Sequence, residues 1–355
     1  MIHHYLSVQQ KLQKVNSLSH KLKRSSRKQP AFTIVELLIV IVIIAILAAI
    51  TIVSYSGITS RAKTASVEAD VSNAIKKLEI AKTQDPAQQY PASLASIGVS
   101  ASSGNTYTYN YQSSDNSYCV ESKNETIVWH ASSGSPTAQS GLCGEDSLVG
   151  WWKLNGNAND SSSNGLNGTE SGAVAPAVGQ NGSGGSAYLF PGTVSDYINL
   201  GSSTLLNQPE LTLSAWVNSA SISSVGQDII AKELQYKYRI SDFGVGLLTS
   251  SNGTAWSGNV ACGYSFSANT WYLVTATLNT KIGLRGVFVN GVAVCGGSVP
   301  VGMSSYNSNP VVIGAYRNAS GATAEPFNGR IDDARFYNRA LTAAEIKMLY
   351  DAGAQ

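Results

Sequence analysis

The sequence contains few charged residues. Only 13% of its 355 residues are Asp, Glu, Lys or Arg, whereas soluble domains contain about 25%. Glycine, by contrast, occurs 33 times. A chain that is poor in charge and rich in glycine and small polar residues is more typical of an extracellular β-protein than of a cytosolic enzyme. Its length is sufficient for two domains.

Histidine is also scarce. Three of the 4 histidines, His3, His4 and His20, lie near the N-terminus, so that His130 is the one that remains. Catalysis by a Ser-His-Asp or Cys-His set requires a histidine beside the nucleophile, and residues 148–355 contain none. The sequence also lacks the HExxH, Gly-Lys phosphate-loop and GxSxG motifs. Enzymatic activity is therefore not expected.

Acidic residues are absent from residues 1–31, which carry the basic side chains Lys11, Lys14, Lys21, Lys23, Arg24, Arg27 and Lys28. Residues 37–60 then contain no charge, and as a helix they would extend about 36 Å, enough to cross a hydrocarbon core of about 30 Å. A basic flank beside such a run is typical of the cytoplasmic side of a membrane protein, so nucleic-acid binding is not expected. A plain membrane anchor and an ordinary signal peptide cut after "ILAA" are alternatives, but neither accounts for Glu36.

The stretch "KQPAFTIVELLIVIVIIAILAAI" resembles the class III leader and N-terminal helix of type IV prepilins and pseudopilins. The resemblance implies that a prepilin peptidase cleaves between Ala31 and Phe32, and that Phe32 becomes the N-methylated first residue. Glu36 then falls at the fifth position of the mature chain. Most members of the family have glycine before the cut, where this chain has Ala31.

The resemblance also assigns Glu36 a role in assembly. Cleavage creates a positively charged α-amine on Phe32, which a filament would bury without water. Because an unpaired buried charge is strongly unfavourable, Glu36 is expected to pair with the Phe32 amine of an adjacent subunit and to set the stagger between subunits. The expected partners are other pilin subunits, through the N-terminal helix, and the prepilin peptidase. The inner membrane is expected to hold the precursor before assembly.

The helix is expected to continue beyond the apolar run to about Thr83. Apolar residues recur there at helical spacing, namely Val67, Val71, Ala74, Ile75 and Leu78. Pro86 ends the pattern, because proline cannot continue a helix. The segments "TYTYNYQ", "SYCVES" and "ETIVWHA" then predict the strands of a small antiparallel sheet.

The later part of the chain contains "LVGWWKLNGNANDSSSNGLNGT", "LTLSAWVNS", "NTWYLVTATLN", "PVVIGAY" and "FNGRIDDARFYNRALTAAEIKMLYDAG". Together these segments resemble the laminin G-like, concanavalin A-like lectin/glucanase domains of bacterial surface proteins. The resemblance implies a jelly-roll sandwich, and the many short strands separated by Gly, Asn and Ser turns indicate the same fold independently. Thr342 and Glu345 form the capping-box pattern that begins a C-terminal helix.

The predicted fold class is α+β, with a long N-terminal pilin helix, a small antiparallel sheet as its head, and an all-β jelly-roll sandwich (laminin G-like). The predicted domains are a cytoplasmic basic leader that is cleaved (1–31), the pilin helix (32–83, its transmembrane half at 32–60), the β head (84–143), the end of a linker (144–147) and the laminin G-like domain (148–355).

Four cysteines in an exported chain allow three pairings. The pairs Cys119–Cys143 and Cys262–Cys295 are favoured, because each lies within one predicted domain. Cys119 and Cys143 also resemble the pair that closes the C-terminal loop of many pilin heads. Free buried thiols are the alternative.

A calcium site is predicted in the laminin G-like domain. Asn157, Asp160 and Asp333 offer the hard oxygen ligands that Ca²⁺ selects, and the first and last strands of a jelly roll usually lie side by side. The alternative is that Asp160 caps a turn and that Asp333 accepts backbone hydrogen bonds. Apart from this ion, no cofactor is expected.

Trp256 lies in a loop and is the candidate for stacking on a sugar ring. The tryptophans assigned to the core are Trp151, Trp152, Trp216 and Trp271. The Glu-x-Asp-x-x-Glu run of concanavalin-like glucanases is missing, and Asp228 with Glu233 does not have its spacing. A surface glycan-active enzyme is therefore disfavoured.

These features together predict a minor type IV pilin or pilin-like subunit, with the laminin G-like domain as an adhesive or scaffolding tip. The precursor is expected in the inner membrane with its N-terminus in the cytoplasm, and the mature protein on the pilus or cell surface, where it meets a glycan or protein ligand. A pseudopilin of a type II secretion machine and a membrane-anchored lectin that never enters a filament are the alternatives.

Processing between Ala31 and Phe32 is the first testable consequence. Intact-mass measurement of membrane or pilus fractions is expected to find a chain that begins with N-methylated Phe32. A chain that begins after Ala48 or Ala49, or an uncut chain, would contradict the prepilin interpretation.

Overall fold

The computed structural model describes residues 33–250, 252–256, 259–302, 307–318 and 320–353. The chain divides into two compact units, residues 1–60 and residues 61–355. The predicted cleavage site, Ala31 and Phe32, lies outside the described residues.

One long helix, α1 (Ile34–Gln84), ends two residues before Pro86, as expected. At its start, Thr33 and Glu36 form a reciprocal cap. The Glu36 N–H donates to Thr33 Oγ1 (3.1 Å), and the Glu36 carboxylate accepts the Thr33 N–H (2.9 Å). Within the described residues, α1 is the one helix that is long and apolar enough to cross a membrane.

The second half of α1 packs on a four-stranded antiparallel sheet in the order β1-β2-β3-β4. Its strands are β1 (Thr106–Gln112), β2 (Ser117–Asn124), β3 (Ile127–Ser132) and β4 (Gln139–Ser140). Val67, Val71, Ala74 and Leu78 are fully buried. The predicted amphipathic pattern of the helix is thus confirmed, and the alternation of "TYTYNYQ" directs Tyr107, Tyr109 and Tyr111 toward the same core.

Seventeen further strands follow among the described residues, and all of them except β19 and β20 form a sandwich of two antiparallel sheets. In chain order they are β5 (Leu148–Trp152), β6 (Thr169–Ser171), β7 (Ala175–Ala177), β8 (Ala187–Pro191), β9 (Tyr197–Asn199), β10 (Glu210–Ser219), β11 (Gln227–Lys232), β12 (Tyr236–Ser241), β13 (Gly244–Thr249), β14 (Asn259–Cys262), β15 (Tyr272–Asn279), β16 (Leu284–Val289), β17 (Val292–Ser298), β18 (Val311–Ile313), β19 (Tyr316–Arg317), β20 (Thr323–Ala324) and β21 (Asn328–Tyr337). Single-turn 3-10 helices lie at Ala95–Ile97, Glu145–Ser147 and Thr204–Leu206.

The first sheet of the sandwich has the order β17-β16-β15-β10-β21-β8-β7, with β5 also paired to β21, and the second has the order β14-β13-β12-β11-β18-β9-β6. Strands β19 and β20 form a separate hairpin. Alternate residues of β10, such as Leu211 and Leu213, are buried in the core between the sheets. The predicted jelly-roll sandwich is confirmed, and the first strand, β5, lies beside the last, β21.

Both disulfides have the favoured pairing. Cys119–Cys143 connects β2 to the segment after β4. Cys262–Cys295 connects β14 to β17, which are edge strands of different sheets, and so closes one side of the sandwich.

A second helix, α2 (Ala343–Gly353), begins with the predicted capping box. Glu345 accepts the Thr342 N–H (2.8 Å), and Thr342 Oγ1 accepts the Glu345 N–H (3.3 Å). One face of α2 packs on the outer face of the first sheet, where Ile346 and Leu349 contact Trp216 and its neighbours.

The N-terminal turn of α2 also binds the head. Asp115 accepts the Ala343 N–H (2.9 Å), and Ser117 Oγ accepts the Ala344 N–H (3.1 Å). Ala344 and Met348 form a buried cluster with the Cys119–Cys143 disulfide. The head and the sandwich therefore share a core within the unit 61–355, although the predicted boundary between them remains a prediction.

Truncation of Met348 measures the contribution of this shared core. Met348→Ala is expected to lower the free energy of unfolding of region 61–355 by about 2 kcal/mol in urea denaturation, because it leaves a cavity against the disulfide. Lys347→Ala, one position earlier, removes a half-buried side chain that pairs with Asp351, and is expected to change it by less than about 1 kcal/mol. Equal effects of the two substitutions would contradict this account.

Candidate ligand-binding cleft

A cleft of about 650 Å³ opens between the head sheet and one end of the sandwich. One wall is the outer face of the head sheet, with Thr108, Glu121, Lys123 and Val128. The facing wall consists of β5, β21 and the loops beside them, with Trp151, Lys153, Asn155, Gln180, Asn181, Ser186, Asp332, Asp333 and Arg335. Leu142, Cys143, Trp216 and the C-terminal half of α2 complete the lining.

Trp151 lies at the centre of the sandwich wall, opposite Arg335 of the neighbouring strand. Its backbone N–H donates to Asp160 (2.9 Å) and its indole N–H to Asp333. The Lys153 ammonium lies 4.1 Å and the Arg335 guanidinium 4.5 Å from the ring centroid, so that two cations stack on the indole. Trp151 was expected in the core, and the structure places it in the cleft lining instead.

Asp332 and Asp333 are adjacent in sequence, yet both line the cleft. In a regular strand their side chains would point to opposite faces. A β-bulge removes this alternation, because the register between β10 and β21 shifts between Ser214 and Trp216 and Asp333 adopts a positive φ of 52°. Arg335 pairs with the Asp333 carboxylate at 2.7 Å.

The negative charge of the Asp332 carboxylate is less well compensated than that of Asp333. The Asp332 side chain is 8% exposed, and one carboxylate oxygen accepts the Gln180 N–H (3.1 Å). The Asp333 backbone N–H also donates a hydrogen bond to this carboxylate. Burial, together with the nearby Asp333 charge, raises the pKa of Asp332 to about 6.

Glu121 is the corresponding acid on the head wall. One of its oxygens accepts the Cys143 N–H (2.9 Å). Burial raises the pKa of Glu121, although the hydrogen bond from Cys143 and the nearby His130 act in the opposite direction. Each wall of the cleft thus contributes one carboxyl group that burial destabilises in its charged form.

The geometry around the predicted calcium ligands does not fit the ion well. Asp160 accepts the backbone N–H groups of Trp151, Ser162 and Leu166, which is the turn-capping alternative. Asn157 Oδ1 accepts the Asn159 N–H (3.0 Å), and the Asp333 carboxylate forms an ion pair with Arg335. These oxygens already accept hydrogen bonds or ion pairs, and no group of three or more His, Cys, Asp or Glu side chains placed to hold a metal ion occurs among the described residues. Calcium binding remains a prediction.

Trp256 lies elsewhere, beside the hairpin of β19 and β20. Its ring meets Tyr316 edge-on at 6.0 Å, and the Lys237 ammonium lies 5.6 Å from its centroid. Trp256 is half-buried and does not line the cleft. Its predicted contact with a sugar remains a prediction.

Asp228 belongs to a second charged cluster on the same side of the molecule as Trp256. It is completely buried, 3.6 Å from the Lys237 ammonium and 3.7 Å from Arg239. Burial raises the pKa of Asp228 well above its usual value, against the opposing effect of Lys237. Glu325 pairs with both cations, so that this cluster fixes the hairpin to the second sheet and leaves no accessible carboxylate pair.

Comparison with known proteins separates the two parts of the chain. Residues 26–52 match the prokaryotic N-terminal methylation motif, and residues 191–347 match the concanavalin A-like lectin/glucanases superfamily. The chain joins a prepilin-type N-terminus to a concanavalin A-like domain. No curated protein shows a significant match to the chain.

Several solved structures are similar to part of the chain. Domain 4 of an extracellular GH43 arabinanase from Geobacillus stearothermophilus, in complex with arabinotriose, has 20% identity and a TM-score of 0.48, with 59% of this chain and 98% of that chain covered. The binding domain of Paraclostridial Mosquitocidal Protein 1 has 17% identity and a TM-score of 0.49, with 59% and 52% covered. A botulinum neurotoxin type C structure has 15% identity and a TM-score of 0.46, with the same coverage.

The two neighbouring aspartates are expected to respond oppositely to neutralisation. Since the folded-state pKa of Asp332 is about 6 and its ordinary value is 3.8, its destabilising effect appears as the pH rises from about 4 and is complete above about 7. Asp332→Asn, which keeps an acceptor for Gln180, is therefore expected to leave stability unchanged at pH 4 and to raise it by about 2 kcal/mol at pH 7. Asp333→Asn is expected to lower it by more than about 1 kcal/mol, because Arg335 loses its partner.

Urea denaturation of both variants at pH 4, 5, 6 and 7 makes the comparison. A stability gain for Asp332→Asn that is equal at all four pH values would contradict the assignment of the raised pKa.

Proposed function

We propose that this protein is a minor pilin or pilin-like subunit that displays a ligand-binding concanavalin A-like domain at the cell surface or pilus tip. The observation that carries the proposal is the continuity of one 51-residue helix with the methylation motif at residues 26–52. A secreted lectin or a simple anchored domain has no need of this motif.

The apolar surface of α1 supports a site in a membrane and then in a helical bundle. Between Ile34 and Ile58, large apolar side chains are between 46% and 83% exposed and occur on every side of the helix. A helix that is apolar all round requires lipid or other apolar helices around it. Both are available to a pilin, first in the inner membrane and later among neighbouring subunits.

Glu36 has two roles in this proposal. Within one chain, it caps α1 through Thr33. After cleavage beside Phe32, its negative charge is available to the new α-amine of an adjacent subunit, and the pair removes the cost of burying either charge alone. A capped helix start and a charge pair between subunits therefore depend on the same carboxylate.

The large size of the β-sandwich supports the inference that a filament contains few copies of this subunit. A subunit that carries more than 200 residues beyond its head would crowd a filament whose helices pack side by side, whereas a tip or an occasional position has room for it. The cleft is then accessible from the exterior, which suits the binding of a glycan or protein.

We also propose that binding occurs without turnover. Glycoside hydrolysis requires two carboxyl groups with separate roles. The Glu-x-Asp-x-x-Glu run of concanavalin-like glucanases is absent from the sequence, and Asp333, the neighbour of Asp332 on β21, is already paired with Arg335 and the Trp151 indole.

Substitutions at Glu36 and Thr33 separate capping from assembly. Glu36→Gln retains an acceptor for the Thr33 N–H but removes the charge, and is expected to reduce the amount of subunit in sheared filaments at least tenfold, with normal membrane insertion. Thr33→Val removes the cap hydroxyl but keeps the charge, and is expected to assemble within twofold of wild type. Quantitative immunoblots of the membrane and filament fractions provide the measurement.

Two results would contradict the proposal. Wild-type incorporation of Glu36→Gln would exclude the charge pair between subunits. Absence of the wild-type protein from every filament fraction would exclude the pilin role itself.

A further inference from the structure

A second pocket, of about 240 Å³, lies at the hairpin of β12 and β13, away from the cleft. Tyr238 of β12 is buried in the core between the sheets, so Arg239 and Ser241 belong to the outer face of the second sheet. Opposite them in the register lie Gly246 and Gly244 of β13, which have no side chains and leave this face open. The rest of the lining consists of Ser224, Gly226, Phe243 and Val245.

The Arg239 guanidinium is held directly against the backbone of Gly226. A β-carbon added at Gly226 would lie 1.7 Å from Nη2 of Arg239, so only glycine fits there. Nη2 donates to Glu325 (3.0 Å), and Nε lies 3.7 Å from the Asp228 carboxyl. Nη1 donates no hydrogen bond to the part of the chain that the structure describes. Its two N–H groups are therefore available to a ligand.

Two serine hydroxyls lie in the same lining. Ser241 Oγ accepts the Phe243 N–H (3.2 Å), so its own proton remains free to donate. The Ser224 hydroxyl has no hydrogen-bond partner among the described residues. The pocket thus offers one guanidinium and two hydroxyl donors, and Arg239 is the one residue of its lining that carries a charge.

The charges behind the pocket neutralise Arg239 only in part. Glu325 pairs with both Arg239 and Lys237, so that one carboxylate serves two cations. Asp228 is completely buried, and burial raises its pKa well above the usual value, which favours the neutral form.

Two further acids lie nearby. Burial raises the pKa of Glu233, and the charge of Lys237 opposes this effect, so Glu233 is a neighbour of Lys237. Asp242 lies in the exposed turn after Ser241, where water and salt screen its charge, and it does not line the pocket. Inside the pocket the charge that a ligand meets is therefore positive.

We propose that this pocket binds a carboxylate group, which accepts hydrogen bonds from Arg239 and from the hydroxyls of Ser224 and Ser241. A carboxylate is a planar acceptor with one charge and matches one edge of a guanidinium. A phosphate monoester, with up to two charges, would find only one cation in the lining. Phe243 is 67% exposed and offers an apolar surface to the body that carries the carboxylate. The pocket is separate from the cleft, so this inference goes beyond the proposed function.

Two sources present a carboxylate outside a cell, the acidic sugars of glycans and the C-terminal ends of peptides. Ligand-detected NMR titration of the full chain in detergent micelles at pH 7 compares a member of each with a neutral counterpart. Methyl β-D-glucuronide is compared with its methyl ester, and N-acetylphenylalanine with its amide. At least one carboxylate is expected to bind more tightly than its neutral counterpart by about fivefold or more, and the one that does so identifies the source.

The variants assign the binding to this pocket. Arg239→Gln removes the cation and is expected to abolish the preference for the carboxylate. The double variant Ser224→Ala, Ser241→Ala keeps the ion pair with Glu325 and is expected to weaken binding by about threefold or more. Arg330→Gln removes the same charge from a half-buried position on β21, outside the pocket, and is expected to bind like wild type. A thermal melt of each variant verifies that it is folded.

The inference is overturned if neither carboxylate binds more tightly than its neutral counterpart. It is also overturned if Arg239→Gln and Arg330→Gln bind the carboxylate equally well, or if the double serine variant binds like wild type. The variants change no residue of the cleft or of α1, so a negative result disproves this inference alone and leaves the proposed function to its own tests.

Discussion

The docking of α2 on the head is the contact on which the functional part of the molecule depends. Ala343 and Ala344 donate their backbone N–H groups to Asp115 and Ser117, and Met348 packs on the Cys119–Cys143 disulfide. These N–H groups belong to the first turn of the helix, which has no acceptors of its own. Because the head supplies the acceptors, the sandwich and the head are held together at one defined orientation, and their facing surfaces become the walls of a cleft.

This docking also explains why the cleft contains poorly compensated charge. Arg339 forms ion pairs with Glu345 and Asp146, so the polar groups around the helix start are balanced. Asp332 and Glu121 lie farther along the same junction, where burial raises the pKa of each carboxyl group although Arg335 and Lys123, respectively, lie nearby. Such groups lower stability, and a fold retains them most readily where a ligand completes them.

At the other end of the described chain, a single acid combines helix capping with the assembly role that we propose for it. Glu36 completes the capping box with Thr33 and lies in a helix whose apolar side chains are exposed all round. The helix start is therefore ordered by hydrogen bonds within the chain, whereas in the proposed role lipid or other subunits cover the apolar surface and the α-amine of another subunit pairs with the charge.

The sequence by itself determined the elements whose patterns are local. The heptad-like spacing from Val67 to Leu78, the alternation of "TYTYNYQ", the Thr342–Glu345 cap and the prepilin signature each depend on residues within a few turns or one strand, and the structure or the comparisons confirm them. Only the tertiary structure decided the cleft. The strand pattern alone predicts that Trp151 lies in the core, whereas in the structure it lines the cleft beside β21. No local pattern indicates that Glu121 and Asp332, more than two hundred residues apart, line the same cleft. The bulge at Asp333 and the docking of α2 arise from contacts between distant segments, which no periodicity in the sequence records.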